Sequence, residues 1–190
     1  DFNVSRIIVT GVAGAIAPGL NAGDVVVAHE LLQHDMDASP LFPRFELPLL
    51  GTARIGTDDG LRALAFDAAR RFVTEDLNDA LDEETRSGLG ITSPNVVVGT
   101  IASGDEFIAS RERSEALREA IPDLAAVEME GAAVAQVCFE HAVPFVVIRT
   151  ISDRADHEAA EHFDMAMPSM AGAYTRGILA RLLPSLSGGA

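Results

Sequence analysis

The sequence predicts an α/β domain of three layers, with a mixed, largely parallel central sheet flanked by helices, spanning residues 1–190 as one unit. Three observations carry this. Short runs dense in valine and isoleucine recur along the chain, each bounded by glycine, proline or charged residues, as buried strands are. Longer stretches with an apolar stripe alternate with them, as crossover helices do. The hydrophobic fraction is 48% of 190 residues, enough for one sizeable core, and no repeat, low-complexity stretch or linker divides it.

Taken in order, RIIVTG (6–11) reads as a strand running into a glycine turn, and DVVVA (24–28) as a second strand. Residues 31–51 read as irregular, because Pro40, Pro43 and Pro48 oppose regular helix. Gly60 to Leu81 reads as a helix, with Leu61, Leu64, Phe66, Ala69 and Phe72 on an approximate apolar face. The acidic EDLNDALDEETR (75–86) reads as a solvated helix end and loop. Asn95–Gly104 is a long strand, and Ser110–Ala120 an amphipathic helix stopped by Ile121-Pro122. LAAVEME is a strand reaching Glu130, GAAVAQVCFEH an apolar helix, and PFVVIRTISD the next strand. Phe163 to Leu183 closes the chain as a helix, with Pro184 and LSGGA beyond it. The chain enters a core strand within its first residues and shows no initiator methionine, so its amino-terminal strands are expected to be missing.

Composition excludes several classes. A formal net charge of −15 with no basic face argues against a nucleic-acid partner. No apolar run is long enough to cross a membrane. All 14 basic residues are arginine, which removes a Schiff-base lysine and a lysine phosphate cradle. The single cysteine, Cys138, sits in an apolar run and reads as a buried thiol of a protein in a reducing, cytoplasmic compartment. His29, His34, His141, His157 and His162 lack metal-ligand spacing, so no metal or other cofactor is expected.

Four stretches end apolar runs with small, polar or acidic residues: TGVAGAIAP (10–18), SGDEFI (103–108), VEMEGAA (127–133) and RTISD (149–153). If the strands are parallel neighbours, these ends meet in one cleft. Each has a plainer reading. Asp153 could simply open a turn or cap a helix, glycines 11 and 14 permit a tight turn, and Phe107 fill the core. By strand alternation Glu128 and Glu130 share one side with Met129 opposite, where they could cap the following helix.

In this order and spacing, SGDEFI, AVEMEGAAVAQVC and VVIRTISDRAD resemble the nucleoside phosphorylase superfamily, most closely its 5′-methylthioadenosine/S-adenosylhomocysteine nucleosidases, from about Arg6 to Leu183. The resemblance implies hydrolysis of an adenine thionucleoside to adenine and a thioribose by a homodimer. Asp153 would protonate purine N7, with Ser152 orienting its carboxylate. Phe107 would stack on adenine, and the Ile108 backbone would bond its edge. Met129 would pack on the ribose and Glu130 grip its hydroxyls, while Arg149 and an Ala13–Gly14 turn would border the sugar and the water. Leu41, Phe42 and Pro43 would wall the partner subunit's 5′-alkylthio pocket, or else pack on their own subunit as a surface loop. Adenine anion leaves poorly, so a carboxylic acid kept neutral by burial suits the task.

Two departures stand out. Val12 takes the place of a serine that could bond an oxyanion, which favours water over phosphate as nucleophile. The family's water-activating glutamate falls upstream of Asp1. A phosphate-dependent phosphorylase and a nucleoside-binding relative without turnover are the alternatives.

Overall fold

A computed structural model describes residues 4–157, 159–160 and 167–186. Its long strands are β1 (Ile7–Ala15), β2 (Val25–Gln33), β4 (Val96–Ser103), β5 (Leu124–Glu128) and β6 (Phe145–Asp153), with a two-residue β3 (Ile55–Gly56) on the edge of β2. The helices are α1 (Asp59–Arg71), α2 (Leu77–Ala80), α3 (Glu83–Gly88), α4 (Arg111–Ala120), α5 (Gly131–Glu140) and α6 (Gly172–Leu186).

The sheet is mixed, with β1–β6, β2–β4 and β4–β5 parallel and β1–β5 and β2–β6 antiparallel. The second set closes the five long strands on one another. β1 meets β5 only at their carboxyl ends, through Gly14↔Val127 and Ala15↔Ala126, while β6 follows β1 along its length to Gly14↔Asp153. The strand ends therefore converge through an antiparallel junction as well as through parallel neighbours.

Side-chain alternation sorts the core. Val25 and Val27 of β2 with Val146 and Ile148 of β6 face α1 and α6, while Val26, Ala28 and Val147 join the Ala132–Cys138 face of α5. Leu117 of α4 packs with Ala102, Leu124 and Val127 in a third cluster. Cys138 of α5 is buried in the second of these clusters, and desolvation pushes its thiol up from the ordinary range.

Several boundaries differ from the sequence reading. The helix expected over 60–81 changes at Phe72–Asp76 to a wider π turn, because Phe72 is driven into the core edge-on to Tyr174 at 5.0 Å. β2 continues five residues past Ala28 after a register shift at the polar His29-Glu30 pair. The final helix keeps Pro184 inside its last turn, ending at Leu186. Its expected start at Phe163 lies outside the described residues.

Candidate active site

The glycines of TGVAG form no turn. Gly11 and Gly14 lie inside β1, where they leave room for neighbours from β6. A Cβ at Gly11 would collide with the Arg149 guanidinium, and one at Gly14 would sit 2.9 Å from Asp153 Oδ1 and 3.0 Å from Ala155 Cβ. Two bulky polar side chains cross the strand here, and only glycine lets the backbone come that close.

Beside this strip opens a cavity of about 330 Å³, lined by Ala13, Gly14, Phe107, Ile108, Met129, Glu130, Arg149, Ser152 and Asp153 among others. The structure thus brings together every residue that the resemblance places at purine and sugar. Asp153 ends β6 with 4% of its surface exposed. Its Oδ2 accepts from Ser152 Oγ at 2.7 Å, and its Oδ1 accepts from the Ala155 backbone N–H at 2.8 Å. The turn-opening role and the cavity-lining role are therefore held by the same carboxylate. Phe107 and Met129 are partly exposed at the cavity, and Ile108 is buried behind it.

The strand LAAVEME stops at Glu128, not Glu130, and this separates the two acids. Glu128 points inward, where its carboxylate pairs with Arg149 Nη2 and takes the Ser103 hydroxyl. It also accepts the Gly131 N–H at 2.9 Å, capping α5. Glu130 begins the helix at the rim with its side chain 70% exposed, 3.6 Å from the same arginine nitrogen. Alternation fails because the chain leaves the pleat before Met129. Glu128 and Ser103 were missed as site residues; the one signal was that each is a polar residue closing an apolar strand.

Beneath the loop that carries Phe107, His34 is buried against Gly104, and Asp35 accepts the Asp105 N–H at 2.8 Å. Desolvation, seconded by the Arg113 charge and outweighing the opposing carboxylates of Asp35 and Glu106, holds the His34 imidazole below its ordinary value.

A model of the phosphorylase superfamily matches residues 1–183. The chain belongs to that superfamily. Among curated members, the 5′-methylthioadenosine/S-adenosylhomocysteine nucleosidase of Actinobacillus succinogenes is 36% identical over 168 residues, covering 88% of this chain. That of Geobacillus kaustophilus is 36% identical over 171 residues, 90% of this chain. The chain spans 64% of the length of each of these relatives. Among solved superfamily structures, the Neisseria meningitidis nucleosidase in complex with methylthio-immucillin-A matches at a TM-score of 0.79 with 34% identity, covering 95% of this chain and 70% of that one. Futalosine hydrolase of Helicobacter pylori matches at 0.75 with 34% identity, covering 97% and 70%.

Two features of the superfamily member remain apart from the cavity. Leu41, Phe42 and Pro43 are not among its lining residues, and Leu41 is 84% exposed. The group His29, Glu30 and Asp123 has ligand atoms close enough for a cation, but Arg54 already donates to both carboxylates there. No helix among the described residues is long and apolar enough to cross a membrane.

Proposed function

We propose that the protein is an adenine nucleosidase that hydrolyses the N-glycosidic bond of 5′-methylthioadenosine and S-adenosylhomocysteine, releasing adenine and a 5-thioribose. One observation carries the reading: the buried carboxyl group of Asp153 shares a cavity with an aromatic ring, Phe107, and a rim carboxylate, Glu130. As the bond from C1′ to the base lengthens, its electron pair moves to the purine, and the proton of Asp153 goes to N7. Water supplies the oxygen that ends on C1′; the proton it loses passes to solvent, from which Asp153 is reprotonated, so the net reaction consumes one water and no proton. Glu130 faces the sugar, where a negative charge stabilises the developing cation. The other lining carboxylates are committed: Glu128 to Arg149 and Ser103, and Glu106 to Arg113 at 2.8 Å. Neither is assigned as the base for water.

Val12 lines the cavity with no hydroxyl to hold an oxyanion, which supports water rather than phosphate. The reading also includes a cytoplasmic homodimer in which Leu41 and Pro43, both exposed, and half-buried Phe42 close the partner's 5′ pocket. A second reading, a futalosine hydrolase, is supported by the likeness at a TM-score of 0.75. The ratio of kcat/KM on futalosine and on 5′-methylthioadenosine separates the two.

The test is adenine release by the purified protein from 5′-methylthioadenosine. Asp153→Asn, which cannot deliver the proton, lowers kcat by roughly 10²- to 10⁴-fold. Wild-type turnover retained in that variant removes the proposed acid.

A further inference from the structure

Resting on the nucleosidase reading, we infer that Glu128 is a positioning residue: by holding Arg149, it keeps the Glu130 carboxylate at the rim for the sugar hydroxyls. Arg149 and Glu128 are a buried ion pair, with side chains 4% and 3% exposed. Glu128 is fastened on several sides. Its carboxylate takes Ser103 Oγ–H from β4, the Gly131 N–H at 2.9 and 3.0 Å, and the Glu130 N–H at 3.2 Å, beside the guanidinium itself. Ser103 is fixed in turn, since its Oγ accepts the Ala132 N–H at 2.7 Å. A carboxylate so tied cannot swing into the cavity.

Glu130 has the opposite character. It reaches only 3.6 Å from Arg149 Nη2 and is mostly in solvent. Two carboxylates thus compete for one buried cation, and the inner one wins. A guanidinium buried without a partner is strongly unfavourable, so loss of the Glu128 charge leaves Glu130 as the nearest replacement. Drawn inward to Arg149, Glu130 would give up its reach to a ligand. Arg149 is already short of partners, with no hydrogen bond to its buried Nε among the described residues.

A double-mutant cycle on KM for 5′-methylthioadenosine tests this. Glu128→Gln keeps the shape and the helix cap but removes the charge, and raises KM about tenfold, the size of one charge-assisted hydrogen bond. In an Arg149→Gln background the same change moves KM by less than about twofold, because no cation remains to capture Glu130. A role confined to the cap of α5, which glutamine keeps, would leave KM unchanged in both backgrounds, and a general loss of structure would raise it equally in both; either result overturns the inference. Should Glu128→Gln not fold, the double variant, which removes both charges, is compared with Arg149→Gln alone; equal KM is expected, and a further tenfold rise, again one such bond, overturns it. A crystal structure of Glu128→Gln needs no turnover: the Glu130 carboxylate drawn in to hydrogen-bond Arg149 is expected, and a Glu130 still standing at the rim overturns the inference. Absence of adenine release by the wild type would count against the nucleosidase reading instead.

Discussion

Three residues apart on β4, Thr100 and Ser103 each belong to a cluster of one arginine, two carboxylates and one hydroxyl, yet the clusters behave differently. An odd spacing sends them to opposite faces of the strand. The Thr100 cluster is partly exposed and closed. Arg54 donates to Glu30 and to both oxygens of Asp123, at 2.7 and 2.9 Å, and Asp123 also takes the Thr100 hydroxyl at 2.8 Å. The Arg54 hydrogen bonds hold the Asp123 carboxyl far below the usual range. The Ser103 cluster is buried and left open: Arg149 is bound to Glu128, while Glu130 stands off at the rim of the cavity. Charge composition alone does not make a site. What sets the second cluster apart is an exposed carboxylate beside a sheltered cation at the rim of a cavity.

The largest expected difference comes from deleting each arginine. Arg149→Gln strands a buried carboxylate and costs about 3–5 kcal/mol in urea denaturation, with adenine release strongly impaired. Arg54→Gln exposes its partners to water and costs no more than about 1 kcal/mol, with activity near wild type. Equal losses would break the comparison. A smaller contrast comes from salt. Between 0.1 and 1 M the screening length falls from about 10 Å to about 3 Å, so the deficit of Arg54→Gln shrinks toward zero while that of Arg149→Gln persists.

The smallest effect concerns two histidines of the β2 segment, His34 just past its end beneath the Phe107 loop and His29 beside Glu30. Because the folded-state pKa of His34 is lowered, the unfolded chain takes up the proton more readily. Its contribution to stability is whole above the ordinary value near 6.5 and is lost as pH falls from there toward the folded value. Tm measured from pH 7.5 downward should fall in that window for the wild type and for His29→Asn, and less for His34→Asn. An unchanged slope in His34→Asn would remove the buried imidazole as the cause.

Much of the fold was legible because its signals are local. Runs such as VVVGTIAS and FVVIRTISD carry β-branched residues with turn signals at both ends, and Ser110, where the expected helix starts, caps α4 by accepting the Arg113 N–H. The two-residue β3 and the extension of β2 were not legible, because pairing partners far along the chain decide them. The same contrast holds at the site. Asp153, Phe107 and Glu130 stand at the ends of recognisable motifs, whereas the place of Glu128 depends on Ser103 and Arg149, 25 and 21 residues away.

The amino-acid sequence by itself determined the elements, the apolar faces that must be covered and the polar residues that close each strand, since propensity and periodicity act over a few neighbours. Only the tertiary structure decided that antiparallel junctions gather those strand ends around one cavity, that glycines 11 and 14 serve Arg149 and Asp153 rather than a turn, and that of two alternate glutamates one is buried and the other open. Those outcomes depend on which distant groups share a dry space, where pairing of charges and packing against backbone outweigh any local preference.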